Sequence, residues 1–208
     1  MARYFDVEQG TEAWHDIRLG VPSASHCHDI LMDKYRAGYQ KYLAQKALER
    51  LTGQRQETYT NNYMQDGNDF EPVARTTYSL QKGVDVKESG FYKHDDIEAG
   101  CSLDGEVGKE GAIEIKSVEN HIHMQLLNTE KIPGKYYKQM QFQMWISGKE
   151  WVDFISYAKY WPLSMPGSQM KIIRVYRNED LISDIEESTW EFLQDVEKLV
   201  KKIGGENA

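Results

Sequence analysis

The sequence predicts an α/β protein in which a mixed β-sheet is flanked by α-helices. Two observations carry this. Short runs with strand character occupy residues 84–92, 97–107, 111–118, 151–159 and 169–176. Around and between them, residues 38–52, 68–80, 134–147 and 179–203 read as helices from their length, apolar spacing and capping signals. The two kinds of element are mixed without strict alternation, which suits a mixed sheet.

Taken in order, residues 38–52 place Tyr39, Leu43, Ala47, Leu48 and Leu51 on one helical stripe, and Gly53 suits a C-terminal stop. For residues 68–80, Asn68 or Asp69 is the expected N-cap, and Pro72 is expected in the first turn, where its missing N–H is harmless. Turns at Asp95-Asp96 and Gly108–Gly111 separate the three strand runs that follow. Within GAIEIKSV, Ile113 and Ile115 point one way and Glu114 and Lys116 the other. Residues 134–147 form a helix ended by Gly148, and Tyr136, Met140, Met144 and Trp145 predict that it is largely buried. Leu181, Ile185, Trp190, Leu193, Val196 and Val200 recur near helical spacing in the last helix, ahead of a polar tail at 201–208.

With 208 residues, 40% of them hydrophobic and 28% charged, the chain is expected to form a single domain, 1–208, with a sizeable core. No run of eighteen apolar residues predicts a membrane span, and the polar, acidic N-terminus does not read as a signal peptide. Cys27 and Cys101 are isolated, which argues against a disulfide scaffold or a zinc cluster and for a cytoplasmic setting. The net charge of -8 stands against a uniformly basic, polyanion-gripping surface. Carboxylates gathered at a metal site are offset by the ions, however, and net charge does not report distribution.

The chemical signal lies in CSLDGEVGKEGAIEIKSV, residues 101–118. Asp104 ends one expected strand before a turn at Gly105, and Glu114-Ile115-Lys116 follow on the next. If those strands pair, Asp104 faces Glu114, and Glu114 and Lys116 share a face because the strand period is two. Two carboxylates suit Mg²⁺, which neutralises phosphate charge and makes water a better nucleophile. Lys116 is placed to orient or help deprotonate that water, or to stabilise the transition state. The side chain of Ile115 belongs in the core, leaving its carbonyl as a further ligand. The same alternation also marks any half-solvated antiparallel strand.

Three companions accompany this motif. Glu71 is a carboxylate near a helix start that could reach the same site, or a solvated first-turn glutamate. Arg18 and Ser25 flank a Gly-Val-Pro turn after Trp14 and Ile17, both expected to be buried. They form either a phosphate pocket or a salt bridge and a helix cap. Gln139 and Gln143 share one helix face and can reach a metal-bound water or a phosphate.

Together these blocks resemble the phage lambda exonuclease family, or YqaJ-type viral recombinases, within the PD-(D/E)XK nuclease superfamily. The ordered match runs W-x-x-x-R-x-G-x-x-x-A-S from Trp14 to Ser25, then F-E-P-x-A-R from Phe70 to Arg75. It continues with S-x-D-G from Ser102, E-I-K from Glu114 and Y-x-x-Q-x-Q from Tyr136. The resemblance implies a restriction-endonuclease-like core and a processive 5′-to-3′ exonuclease on linear double-stranded DNA ends. Such an enzyme releases mononucleotides and leaves a 3′ single-stranded tail for recombination by strand annealing. It implies two Mg²⁺ ions, with Mn²⁺ able to substitute, held by Asp104, Glu114, the Ile115 carbonyl and Glu71. Lys116 would be the catalytic lysine, Gln139 would assist near the water, and Arg18, Ser25 and Ser102 would take the 5′ phosphate. A ring-shaped homotrimer, a single-strand annealing partner and a phage or prophage source in a bacterial host are implied as well.

Two other readings use the same residues: a RecB-type nuclease or endonuclease, and a non-catalytic DNA-binding or assembly protein. His121 and His123, just after the Glu114–Lys116 strand, could touch DNA but are expected to be solvated. Tyr136, Tyr137, Trp145, Trp151, Tyr157, Tyr160 and Trp161 are expected in the core rather than on a base-stacking platform.

Overall fold

The computed structural model describes residues 2–56, 62–162 and 164–204. Among these residues the strands form two sheets. One holds β1 (Ala2–Phe5), β2 (Phe91–His94) and β3 (Gly100–Cys101), all antiparallel. The other is ordered β4 (Gly105–Val107), β5 (Gly111–Ser117), β6 (Trp151–Tyr157) and β7 (Met170–Tyr176). Its β5–β6 pair is parallel and its other pairs are antiparallel, which makes it the mixed sheet expected.

The parallel pair demands a crossover, and α5 (Asn120–Thr129) and α6 (Gly134–Ser147) provide it. That connection lays α6 against one face of the sheet, where Met140, Phe142 and Met144 join Ala112, Val152 and Phe154 in the main core. The opposite face is covered by α4 (Asn62–Lys82), whose Ala74 and Tyr78 pack on Ile113, Ile115, Ile155 and Tyr157. Short helices α1 (Glu12–Ile17) and α2 (Cys27–Ile30) lead to α3 (Ala37–Thr52), which packs against α7 (Glu179–Gly204). There Tyr39 and Tyr42 meet the Phe192 ring, both at 5.2 Å between centroids. Gly53 and Gly148, at φ 63° and 72°, stop α3 and α6 in the left-handed conformation, as expected.

Several local expectations are corrected. The run 97–107 is not one strand. The chain changes sheets at 102–104, and side chains hold its backbone: Gln143 donates to the Ser102 carbonyl and Gln9 to that of Leu103. Gly105 therefore opens β4 rather than a turn. A side chain there would meet Val86 Cγ1 at 2.6 Å. The run 84–92 contributes a bridge from Lys87 to Glu106, and β2 starts only at Phe91. Besides β3, β2 pairs with β1, eighty-six positions earlier at Phe5, for which no strand was expected.

Helix α4 is already under way at Asn68 and Asp69, so neither caps it, and Pro72 lies in its interior. The packing of Ala74 and Tyr78 offsets the one backbone hydrogen bond the proline forfeits. On α7 the buried stripe is Ile182, Ile185, Thr189, Phe192, Val196 and Val200, while Trp190 is 56% exposed. On α3 Leu48 faces out and an ion pair, Lys46–Glu49, is buried instead. Trp14 and Ile17 are half-buried.

Candidate active site

The antiparallel register that pairs Gly105 with Ile113 sets Asp104 beside Glu114. Asp104 Oδ2 accepts a hydrogen bond from the Ile115 N–H at 2.6 Å, which fixes the carboxylate to the strand that carries the other two residues of the motif. Glu114 is fully buried on the α6 face of β5. Its Oε1 accepts from Lys116 Nζ at 2.5 Å and from Gln139 Nε2 at 2.7 Å. Its Oε2 accepts from Gln143 Nε2 at 2.6 Å. The two glutamines reach one carboxylate because residues four apart on a helix stand one above the other. Ile115 points to the opposite face, into the α4 core, as expected.

Glu71 lies in the middle of α4 rather than near its start, so the helix-dipole reading of this residue is withdrawn. Its carboxylate takes Arg75 NH2 at 2.5 Å. Arg75 Nε donates to the Asp104 carbonyl at 2.8 Å, and NH1 pairs with Glu88 at 2.5 Å. One guanidinium thus ties α4 to the strand switch that carries Asp104.

Burial pushes the Asp104 carboxyl well above the usual carboxylate range, and the negative charges of Glu114 and Glu71 add to the shift. Burial also raises Glu71, against the pull of Arg75. For Lys116 burial acts downward, but Glu114 and Asp104 outweigh it and hold the ammonium protonated. The centre is therefore a set of carboxylates whose mutual repulsion one lysine only partly offsets.

Among the described residues no three His, Cys, Asp or Glu side chains stand together as a ready metal cluster. The donor chemistry nonetheless fits a hard divalent cation. Asp104 and Glu114 supply carboxylate oxygens, and the three donors on Glu114 leave one of its four lone-pair directions, on Oε2, open. A cation there would relieve the repulsion that adds to the effect of burial on Asp104.

A second group of residues adjoins β3. Ser102 Oγ accepts from Trp14 Nε1 at 2.9 Å, and the Arg18 guanidinium lies 3.7 Å from the centre of the Trp14 ring. A bridge from Ser23 to Gly100 brings the turn Ala24–His26 alongside, with Ser25 Oγ 3.3 Å from Ser23 Oγ. Ser25 is exposed inside this turn and is not a helix cap. Arg18 has no carboxylate within ion-pair distance among the described residues. Burial lowers it to about 10, which leaves it cationic at neutral pH. Among the described residues Arg18 makes no salt bridge; a guanidinium stacked on Trp14, whose indole N–H holds the Ser102 hydroxyl, can receive an oxyanion.

The structure thus gathers Asp104, Glu114, Lys116, Glu71 and Gln139 at one centre and sets Arg18, Ser25 and Ser102 about the β3 end. The sequence reading gave no role to Arg75 and no specific partner to Gln143. Their sequence signals were the i, i+4 spacings to Glu71 and Gln139 and, for Arg75, its place at the end of F-E-P-x-A-R. His123 is fully buried rather than solvated, bonded through Nδ1 to Ser156 Oγ and through Nε2 to the Ser168 carbonyl, both at 2.7 Å. His121 is exposed, as expected.

Residues 13–150 match the model of the YqaJ-like viral recombinase domain. The chain is 36% identical to an alkaline exonuclease, LHK-Exo, from Laribacter hongkongensis, covering 93% of this chain and 96% of that one, with a TM-score of 0.86. The structure of LHK-Exo in complex with dAMP matches with the same identity and TM-score over 95% and 100% of the two chains. A phage related exonuclease from Haemophilus somnus shares the fold at 15% identity and a TM-score of 0.69, over 88% of this chain and 96% of that one. A comparison with curated proteins finds no significant match.

Proposed function

The chain belongs to the YqaJ-like viral recombinase domain family, and from that premise we propose that it is a Mg²⁺-dependent 5′-to-3′ exonuclease of linear double-stranded DNA. The observation that carries the reading is the convergence of Asp104, Glu114 and Lys116 through the β4–β5 register, with Gln139 and Gln143 holding Glu114 in place. The similarity to an exonuclease solved with dAMP supports a deoxynucleotide product.

Asp104, Glu114 and the Ile115 carbonyl would hold Mg²⁺ or Mn²⁺, with Glu71 serving a second ion. Bound there, the metal supplies charge neutralisation at the scissile phosphate and activation of water. Lys116 would orient or help deprotonate the reacting water, or donate to a phosphoryl oxygen. Gln139 keeps the Glu114 carboxylate oriented toward that water. Hydrolysis adds the water oxygen to phosphorus, breaks the P–O3′ bond and returns a proton to O3′, freeing a mononucleotide. The shortened strand keeps its 5′ phosphate, for which Arg18, Ser25 and Ser102 form the receiving pocket. In this reading the enzyme works as a homotrimeric ring in the bacterial cytoplasm and hands its 3′ tail to a single-strand annealing protein. Among the described residues no helix is long and apolar enough to cross a membrane.

The test is digestion with Mg²⁺ of linear duplexes bearing a 5′ phosphate or a 5′ hydroxyl, beside closed circles. Loss of one strand from the linear phosphorylated duplex alone is the expected result. Cutting of circles would instead indicate an endonuclease, and intact DNA throughout would indicate a binding or assembly protein.

A further inference from the structure

Tyr157 ends β6 in the core, in register with Ser117 of β5, and the chain then leaves the sheet through Lys159, Tyr160 and Trp161. Phe70 of α4 stacks on Tyr157 with centroids 6.5 Å apart. The Lys159 ammonium lies 4.7 Å from the Phe70 ring centre and 4.8 Å from that of Tyr160. Tyr160 itself is 74% exposed, contrary to its expected place in the core.

The ring is presented by a held backbone. Asn120 Nδ2 donates to the Tyr160 carbonyl at 3.0 Å. The next residue, Trp161, donates to Ser168 Oγ at 2.8 Å and packs edge-on against buried His123 at 4.8 Å. Tyr160, exposed beside the Lys159 ammonium, adds little to the core, and its ring is open to a role outside it.

Its location suggests one. Phe70 directly precedes Glu71, and Ser117, the register partner of Tyr157, directly follows Lys116, so this turn borders the carboxylate centre. Tyr136 carries Lys116 and Lys135 over its ring at 5.6 and 4.7 Å. In a chain of net charge -8, cation–aromatic groups therefore adjoin the carboxylates on both the α4 and the α6 sides. A stackable ring paired with a positive charge suits a nucleotide whose base is unpaired: the base lies on the ring and the phosphate turns to the ammonium.

We propose that Tyr160 and Lys159 form a subsite for an unpaired nucleotide of the DNA strand next to the scissile phosphate. The proposal rests on the nuclease reading above and extends it to a residue that reading does not use.

The experiment compares the full-length protein with Tyr160→Ala, Tyr160→Phe and Lys159→Gln. Binding of a fluorescein-labelled single-stranded oligonucleotide is measured by anisotropy without divalent metal, and KM and kcat are measured on a 5′-phosphorylated duplex. Stacking of one base corresponds to about tenfold in affinity. Tyr160→Ala is expected to raise the oligonucleotide Kd and the KM by about that factor, with a much smaller change in kcat, and Tyr160→Phe is expected to restore both. Lys159→Gln should flatten the dependence of log Kd on log salt by about 0.7. A Tyr160→Ala protein with wild-type Kd and KM, or a loss that phenylalanine does not restore, overturns the subsite while leaving the nuclease reading intact. A wild-type protein that cleaves no DNA yet binds the oligonucleotide through Tyr160 overturns the nuclease reading, and with it the place of the subsite beside a scissile phosphate, leaving a single-strand binding site alone.

Discussion

Gln143 joins Glu114 Oε2, at 2.6 Å, to the Ser102 carbonyl, at 3.2 Å, through a single side-chain amide nitrogen. One buried glutamine on α6 thereby couples the β5 carboxylate to the point where the chain changes sheets, two residues before Asp104. The opposite amide orientation would set two oxygens against each other, so the donor must face Glu114. Gln143 Oε1 is left buried and has no partner among the described residues, a cost consistent with that arrangement.

Replacing Gln143 with Leu keeps the volume and removes the donor. Groups that orient a metal-ligand residue are typically worth about 10- to 100-fold in metal affinity or activity. Gln143→Leu should raise the Mg²⁺ concentration needed for half-maximal cleavage by such a factor while DNA binding without metal stays near wild type. An unchanged metal requirement would refute the role assigned to Gln143.

Asp104→Ala, Glu114→Ala and Lys116→Ala should each abolish cleavage, with a loss of about 10³-fold or more, while circular dichroism reports an intact fold. Full activity in Asp104→Ala would remove the basis of the proposed centre.

Arg18→Ala should erase most of the advantage of 5′-phosphorylated over 5′-hydroxyl ends, because a charge-assisted anion contact is worth about 1.5–3 kcal/mol. Initial rates on the two substrates decide the matter. An equal loss on both would show that Arg18 acts through the packing of Trp14 instead.

The raised Asp104 sets a pH-dependent response to metal. A carboxyl whose folded pKa exceeds its unfolded one binds its proton more tightly in the folded state, so its ionisation penalises folding as pH rises through the folded value. A cation that neutralises the site removes that penalty and meets no proton competition once Asp104 is ionised. Mg²⁺ should therefore raise the melting temperature more at pH 8 than at pH 5.5, and Asp104→Asn should remove most of the difference. A metal effect independent of pH would count against Asp104 as a ligand.

Glu106 anchors the β4–β5 hairpin. Its Oε2 takes Lys149 Nζ at 2.7 Å, and its Oε1 takes Tyr92 OH at 2.7 Å and Ser89 Oγ at 3.0 Å. Lys149 is buried and also donates to the Lys109 carbonyl at 3.1 Å. Burial acts to raise Glu106, but Lys149, Tyr92 and Ser89 together bring it below its usual value. A depressed carboxylate stabilises above its unfolded pKa, and this contribution fades as pH falls below about 4.3 toward the folded value. Glu106→Gln leaves Lys149 buried without its counter-charge and should cost roughly 3 kcal/mol in urea unfolding at pH 7. A cost below about 0.5 kcal/mol, the scale of an ordinary surface change, would contradict this account.

The sequence by itself determined what depends on local period and on neighbours a few residues away. Two-residue alternation put Glu114 and Lys116 on one face with Ile115 on the other, and a ten-residue hairpin spacing brought Asp104 to them. Helix stops at Gly53 and Gly148 and the shared face of Gln139 and Gln143 followed from helical geometry in the same way. Only the tertiary structure decided features whose partners lie far along the chain. Strand β1 exists because Phe5 meets Phe91, and the break at 102–104 is sustained by Gln9 and Gln143. Arg75 acquires its role from the Asp104 carbonyl, twenty-nine residues on. The fates of His123 and Tyr160, one buried and the other out in water, were set by the path of the chain between β6 and β7 and its ties to α5. Burial is a property of what packs on a residue, and no local pattern records which distant segment that is.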